Sequence, residues 1–228
     1  MNARSFWLLS ALTAAVACSD DPSGPDTGGN PNTDGRLQVV SAVSAVSAVD
    51  VVVDGQTRLS SVPYGVPSSP IALSLGQHAV KVVPAGTAPS AGGTVVTLRA
   101  GDTTRVVVTG TPTTMTPVAL GDTGAAPVPG KGKLRVTHLA ANAPAIDVYR
   151  TQPDFPSFVK FMDPFPFNAT TPFIMSDPGN WVIRVTARGT NQVLAESGPI
   201  RVDALWIRTV LLLDAPNGGV RITALGDQ

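Results

Sequence analysis

Cysteine, charged residues and long apolar runs are all scarce in this sequence of 228 residues. Its single cysteine has no partner for an internal disulfide bond. Charged residues make up only 14% of the chain and the formal net charge is zero, so no basic excess is available to meet nucleic-acid phosphates. These shortages exclude a disulfide-held scaffold and a nucleic-acid partner.

Sequence signatures of catalysis and cofactor binding are also missing. The chain contains no nucleophile elbow, no phosphate-binding glycine loop, no zinc-ligand spacing and no EF-hand loop. We therefore expect no catalytic residue, no bound metal and no cofactor, and we predict that the protein is not an enzyme.

The first 17 residues have the features of a signal peptide. Arg4 supplies a positive charge, residues 6–17 form an apolar run too short to cross a bilayer, and small residues precede Cys18. A lone cysteine directly after such a site resembles a bacterial lipobox, which implies cleavage and acylation of Cys18. We expect an exported protein of the bacterial cell envelope that is attached to a membrane by lipid on Cys18. The alternative is an ordinary secretory signal and a secreted protein.

Residues 18–35 follow as a polar stretch rich in glycine, proline, asparagine and aspartate. No large apolar residue occurs between Cys18 and Leu37, so this segment cannot bury enough surface to fold. The composition predicts a disordered acidic tether that holds the folded part away from the membrane.

The rest of the chain contains an internal repeat. Three blocks match in the same order: residues 37–51 with 134–148, 76–83 with 179–186, and 119–122 with 224–227. Within the second block His78 aligns with Trp181, which indicates a packing position rather than a ligand. Matched blocks in one order indicate tandem duplication, with a longer middle loop in the second copy.

The duplicated part is predicted to be all-β. Short runs with period-two alternation are separated by turns rich in glycine and proline, and no run shows convincing helical periodicity. This pattern predicts two tandem antiparallel immunoglobulin-like β-sandwiches, at residues 36–122 and 133–228, with a small closed barrel as the alternative. Residues 123–132 are the linker, whose proline and glycine would permit limited reorientation of the two domains.

Phenylalanine is concentrated in one segment of the second domain, where it alternates with proline. Exposed apolar patches often mark partner sites, and loops on a rigid sandwich commonly carry binding. The candidate binding surface, for an envelope protein or a glycan, consists of Phe155, Phe158, Phe161, Phe165 and Phe167. We favour the other interpretation, in which most of these rings are buried because they cap the sandwich or pack between the domains.

Asp50 and Asp147 occupy equivalent places at the start of the second strand of each copy. Their apolar neighbours are expected to face the core, leaving each carboxylate to accept hydrogen bonds from a nearby loop. His138 and Asp147 flank one loop and could approach each other as a metal-binding or acid–base pair. A metal needs more ligands, and Ser41 replaces the histidine in the first copy. We therefore interpret Asp50, Asp147 and His138 as structural turn residues.

The start of the second copy resembles a known bacterial family, the domain of unknown function DUF4397. Members typically open with Leu-Arg-Val-x-His-Ala-Ser-Pro-Asp-Ala-Pro-Ala-Val-Asp-Val-Tyr. The matching residues are Leu134, Arg135, Val136, His138, Asn142, Ala143, Pro144, Ala145, Asp147, Val148 and Tyr149. The resemblance implies exported, often lipid-anchored, β-sandwich modules without an assigned reaction, and it supplies no catalytic residue.

Two functions of different class remain compatible with the sequence. The favoured one is a non-catalytic cell-envelope module for binding, adhesion or scaffolding, because no convergent set of polar residues is visible. The alternative is an envelope enzyme, or an accessory subunit of one, with a site near His138 and Asp147. The arrangement of these side chains in space distinguishes the two, because fold alone does not decide function.

Overall fold

The computed structural model describes residues 34–88, 93–121, 126–153, 158–162, 164–216 and 218–226. These residues form seventeen β-strands and no helix, so the predicted all-β fold class is confirmed. Among them there is accordingly no helix of the length and apolarity needed to cross a membrane. The signal peptide, Cys18 and the tether up to residue 33 lie outside the described residues.

Eight strands make up the first half of the chain. They are β1 (Asp34–Ser41), β2 (Ala48–Val53), β3 (Gln56–Pro63), β4 (Ile71–Ser74), β5 (Gly76–Pro84), β6 (Thr94–Leu98), β7 (Thr103–Thr111) and β8 (Thr114–Leu120). The first strand begins within the predicted tether, because Asp34 and Gly35 pair with Ser74 and Leu73 of β4. A side chain at Gly35 would meet Leu98, which makes this glycine part of the packed fold.

The second half repeats these strands and adds one. They are β9 (Gly132–Leu139), β10 (Ile146–Thr151), β11 (Phe158–Lys160), β12 (Ile174–Ser176), β13 (Gly179–Ala187), β14 (Val193–Glu196), β15 (Ile200–Val202), β16 (Ile207–Asp214) and β17 (Val220–Leu225). The additional strand is β15, which pairs with the first residues of β13.

The two halves have the same sheet topology. One sheet of the first half has the order β4-β1-β7-β8, and its counterpart has β12-β9-β16-β17. The other sheets have the orders β3-β2-β5-β6 and β11-β10-β13-β14. The same order in both halves is what duplication of one unit would produce.

Each half contains one parallel strand pair, which corrects the prediction of purely antiparallel sheets. Strand β1 pairs in parallel with β7, and β9 pairs in parallel with β16. After β1 the chain crosses to the opposite sheet for β2 and β3, returns for β4, crosses again for β5 and β6, and enters β7 in the direction of β1. A sandwich therefore accommodates a parallel pair without the helical crossover that a single parallel sheet requires.

Each half also has its own apolar core between its two sheets. Alternating residues point inward, as for Leu37 and Val39 in β1 or Leu134 and Val136 in β9, and all four are fully buried. The first core consists mainly of valines, whereas the second contains isoleucines, leucines and two phenylalanine rings.

A third apolar layer, which we call the seam, lies between the two halves. In β16, Val210 and Leu212 belong to the second core, whereas Leu211 and Leu213 belong to the seam. The seam consists of Val40, Val107, Leu120, Leu139, Leu211, Leu213 and Leu225, with Ala42 and Tyr64 packed beside it. The sheets that contain β1 and β9 are therefore packed on both faces, and the four sheets follow one another in a stack.

Candidate binding cleft

A cleft of about 130 Å³ opens between the halves at one end of the seam. It lies where β1, β7, β9 and β16 end, because the two parallel pairs bring the carboxyl ends of these strands to the same edge. The first half contributes residues 42–45 and 109–112. The second half contributes Leu139, Ala141, Phe167 and Asp214.

Asp214, the last residue of β16, is the charged group of this cleft and is only 5% exposed. Its Oδ1 accepts a hydrogen bond from the Asn142 backbone N–H at 2.9 Å. Its Oδ2 accepts from Asn142 Nδ2 at 3.1 Å and from Ser44 Oγ of the first half at 3.2 Å. The carboxylate therefore joins loops from both halves through three uncharged donors.

Tyr64 reinforces the same edge of the seam. Its hydroxyl donates to the main-chain oxygen of Asp214 at 2.9 Å. The guanidinium of Arg221 lies 5.7 Å from the Tyr64 ring centroid and donates to the Gly65 carbonyl. Burial, together with the negative charge of Asp214, raises the pKa of Tyr64 to about 12.

Two arginines join the halves at the other end of the seam. Arg135 Nη1 donates at 2.7 Å to the carbonyl of Gly121, just beyond the last strand of the first half. Arg105 Nη2 donates to the carbonyl of Gly226, just beyond the last strand of the second half. Each half thus supplies a buried guanidinium to a carbonyl of the other, and this arrangement fixes their relative position.

The described rings of the phenylalanine segment divide between core and surface. Phe161 and Phe165 belong to the second core, so these two are not part of a surface that a partner can reach. Their burial is explained by the apolar area that a ring removes from water. Phe167 is 45% exposed and lines the cleft. Phe155 lies outside the described residues, as does the side chain of Phe158, whose backbone belongs to β11.

Phe173 lies against two basic side chains of β9. Lys133 Nζ and the Arg135 guanidinium carbon lie 4.3 and 4.5 Å from its ring centroid. Both basic residues are buried, so this cation–π contact is shielded from solvent.

The structure does not bring His138 and Asp147 together. His138 lies in β9 with its ring 5.6 Å from the Phe165 ring and 6.1 Å from the Phe167 ring, and its Nδ1 accepts the Ala140 N–H. Burial lowers the pKa of His138, and the charge of Asp214 only partly opposes this. Asp147 lies in β10, in the opposite sheet of the half. The acid–base or metal pair, which was the alternative interpretation of these residues, is therefore not formed by them.

Asp50 and Asp147 each accept a backbone N–H from an equivalent turn. Asp50 Oδ2 accepts from Gly86 at 2.9 Å, and Asp147 Oδ2 accepts from Gly189 at 2.9 Å. Asp50 Oδ1 accepts a second amide, whereas Asp147 Oδ1 lies 3.0 Å from Lys160 Nζ. Burial would raise the pKa of Asp147, but the glycine amide and the lysine outweigh it and hold this pKa below its ordinary value.

Sequence reasoning missed an Asp54–His78 pair at the β2–β3 hairpin. Asp54 and Gly55 both have positive φ, which places them in a two-residue turn of type I′. This turn directs Asp54 Oδ2 to within 2.6 Å of His78 Nδ1, while Nε2 of the same ring lies 2.8 Å from the Ser74 carbonyl oxygen. Burial would lower the pKa of His78, but these two hydrogen bonds outweigh it and raise the pKa.

The Asp54–His78–Ser74 set contains the residue types of a catalytic triad but not its hydrogen bonding. The Ser74 hydroxyl lies 3.5 Å from Nε2, yet Nε2 is closer to the Ser74 carbonyl oxygen, which can only accept a hydrogen bond. At the equivalent position Trp181 Nε1, which is always a donor, lies 3.0 Å from the Asp177 carbonyl oxygen. We therefore assign Nε2 of His78 as a donor, which leaves it no lone pair with which to act as a general base.

No group of three or more histidine, cysteine, aspartate or glutamate side chains suited to a metal occurs in the part of the chain that the structure describes. The described titratable residues instead act in turns, in ion pairs and in contacts between the two halves. The cleft beside Asp214 brings together a cavity, an exposed ring and a carboxylate.

Solved structures from several bacteria match the chain at low similarity. The Bacillus anthracis TIE protein is 11% identical with a TM-score of 0.27, and the match covers 85% of this chain but 42% of that protein. The tip fimbrial protein Mfa3 from Porphyromonas gingivalis is 12% identical with a TM-score of 0.30, and the match covers 86% of this chain and 100% of that one. A DUF3823 family protein from Bacteroides ovatus is 14% identical with a TM-score of 0.22, and the match covers 74% of this chain and 98% of that one. Values this low do not extend the function of those proteins to this chain.

Sequence comparison identifies the family. No curated protein matches the chain. The family model described as domain of unknown function DUF4397 matches residues 35–149, which is just over half of the chain. The match includes the whole first half and the opening of the second, where the resemblance to this family was noted. The chain therefore belongs to the DUF4397 family.

Proposed function

We propose that this protein is a non-catalytic binding module of the bacterial cell envelope that holds a partner protein at the cleft between its two halves. The observation that carries this proposal is the position of the cleft, which is lined by both halves and contains a half-exposed aromatic ring. Binding sites occur preferentially at such junctions, where neighbouring units form a concave surface.

The size of the cleft favours a protein partner over a free small molecule. Pockets that enclose small-molecule ligands usually have volumes of roughly 300–1,000 Å³. A volume of about 130 Å³ instead suits one large side chain projecting from a partner surface. A glycan, the other partner class considered from the sequence, would lie across the rim rather than enter.

The states of the two histidines support a non-catalytic function. The chain has two histidines, and both nitrogens of His78 are occupied as donors. His138 is buried against the rings of Phe165 and Phe167, with its Nδ1 engaged by a backbone amide. Neither imidazole presents a free lone pair to the cleft, so the alternative of an envelope enzyme near His138 and Asp147 has no support from this geometry.

Capture of a partner with and without an obstructed cleft tests the proposal. Ala45 is exposed and lines the cleft, so Ala45→Trp should fill it without disturbing a core. Val95→Trp, on the exposed face of β6, adds the same ring away from the cleft. We expect wild type and V95W to retain the same envelope protein, and A45W to lose it. Equal capture by all three variants would place binding elsewhere.

We further propose that the two halves are duplicated immunoglobulin-like sandwiches attached to a membrane through lipidated Cys18. The shared strand order supports the first statement, and the signal-like residues 1–17 support the second. Each methylene of an acyl chain contributes about 0.8 kcal/mol to membrane binding. Cys18→Ser should therefore move the protein from the membrane fraction to the soluble fraction of cells. An unchanged distribution would favour the secreted alternative.

A further inference from the structure

The carboxylate of Asp214 is buried without a positive partner. The described residues form ion pairs at Asp54, Asp147, Asp177, Glu196 and Asp203, but none involves Asp214. Its three donors are an amide N–H, a side-chain amide and a hydroxyl, all of them uncharged. A buried charge that is hydrogen-bonded but not neutralised remains costly, so a cation placed beside it would be stabilised.

The nearest titratable neighbours do not supply that cation. The lowered pKa of His138 keeps its imidazole neutral at neutral pH. Arg221 is directed to the Gly65 carbonyl and the Tyr64 ring. The negative charge at the cleft is therefore left for a group that comes from outside the chain.

A ring in the lining of the cleft suits the same kind of group. Phe167 lines the cleft and is 45% exposed, and its ring centroid lies 6.1 Å from that of His138 at an interplanar angle of 90°. An aromatic face attracts ammonium and guanidinium groups through its quadrupole. Val43 and Leu139 complete an apolar lining that fits the alkyl stem of a long side chain.

We propose that the cleft receives the side chain of a lysine or arginine presented by the partner protein, with its cationic group between Asp214 and Phe167. This inference rests on the proposed function, because it names the chemistry of the group that the cleft holds. The volume of about 130 Å³ admits one such side chain, and the buried carboxylate selects a cation over an apolar side chain of similar length.

The test is an NMR titration of the full mature protein with three probes. Nα-acetyl-lysine methylamide carries the cation, the norleucine analogue has a similar stem without charge, and the glutamate analogue reverses the charge. We expect the lysine probe to shift amide signals of residues 42–45 and 139–142 saturably, with an affinity about tenfold above that of the norleucine probe. Added salt should weaken this preference only partly, because the site is mostly buried.

Two variants and a control complete the experiment. Asp214→Asn should remove the preference for lysine over norleucine, and Phe167→Leu, at an exposed position, should weaken lysine binding while the fold is retained. Asp102→Asn removes a charge from an exposed turn and should change nothing. Equal affinity for the lysine and norleucine probes, or an unchanged preference in D214N, would overturn the inference. Failure of every probe to bind would also overturn the inference. All of these results would leave the proposed function standing, because A45W tests the cleft regardless of the charge of the ligand.

Discussion

The first and second halves have the same strand order, but equivalent positions carry different side chains and differ in burial. His78 and Trp181 both direct a ring nitrogen to a carbonyl oxygen at the same point of the turn before them, at 2.8 and 3.0 Å. Only the first of these rings can titrate. Both halves thus have a ring N–H donor at this position, whereas a ring that can carry a charge occurs only in the first half.

The two aspartates differ in a similar way. Asp50 is half-buried and accepts two backbone amides, whereas Asp147 is 1% exposed and accepts one amide beside Lys160. The second half thus compensates the deeper burial of its carboxylate with a charge. The halves are therefore expected to respond differently to the same substitution, and the predictions below use this difference.

The largest loss of stability is expected from a substitution in the seam, where the two halves pack against each other. Leu211 is fully buried in the seam, so Leu211→Ala should lower the free energy of unfolding by about 2–5 kcal/mol. Because the seam contains residues from both halves, hydrogen exchange should show that β1 and β16 lose protection together. Val95→Ala, at an exposed site, should change stability by less than about 0.5 kcal/mol. Loss of protection in the second half alone would mean that the seam does not couple the halves.

A smaller effect is expected at the two aspartates. Asp147→Ala should cost about 3 kcal/mol, because it removes a buried carboxylate that the Gly189 amide and the Lys160 ammonium both contact. Asp50→Ala should cost about 1.5 kcal/mol, since the amides of Ser61 and Gly86 can reach water. Denaturant unfolding of the full chain measures both. An equal loss of stability in the two variants would show that burial does not distinguish the two positions. A variant that loses binding but keeps its stability would show that the aspartate concerned is functional.

The sequence was sufficient to predict the class of fold because strand alternation and turn residues are local signals. Alternation in β2 leads into the Asp54-Gly55 turn, and both residues of this turn have positive φ. The parallel pairing of β1 with β7 was not predictable in this way. It depends on which sheet each strand joins, and alternation reports only that one face is buried.

The cleft was missed because it depends on the packing of one half against the other. Leu211 and Leu213 lie in an apolar run, but no local pattern says that the second face of β16 meets the first half. The phenylalanine segment was a partial guide, since Phe167 lines the cleft whereas Phe161 and Phe165 fill the core.

The hydrogen bond of Tyr64 to Asp214 provides a milder test of the seam. Tyr64→Phe should cost about 1 kcal/mol, because it leaves one main-chain acceptor unsatisfied. The chain has two tyrosines, so ultraviolet titration should resolve the phenol whose pKa is raised to about 12, and Y64F should lack that step. The raised pKa means that Tyr64 stabilises the fold below its unfolded pKa of about 10 and ceases to do so as pH rises through the folded value. Ionisation of Tyr64 near pH 10 would contradict a closed seam.

The smallest effect concerns the histidine that has no titrating counterpart. The folded pKa of His78 is raised, so the native state binds its proton more tightly than the unfolded state does. Its contribution is therefore fully present below the unfolded pKa of about 6.5 and is lost as pH rises through the higher folded pKa. Asp54 has a lowered pKa, so its contribution to the stability of the fold is lost only as pH falls through that lowered pKa. The pair should stabilise the first half most between these two limits.

His78→Gln removes the titration and keeps a side-chain N–H donor. The expected difference in unfolding free energy between wild type and H78Q is about 1 kcal/mol or less, because the Asp54 side chain is 53% exposed and the ion pair is screened by salt. Taking the difference is necessary because His138, with its lowered pKa, changes stability with pH in the opposite direction. Denaturant unfolding from pH 5 to pH 9 should show this difference shrinking as pH rises, and shrinking further in high salt. A difference that stays constant with pH would mean that His78 acts only as Trp181 does, through an uncharged N–H.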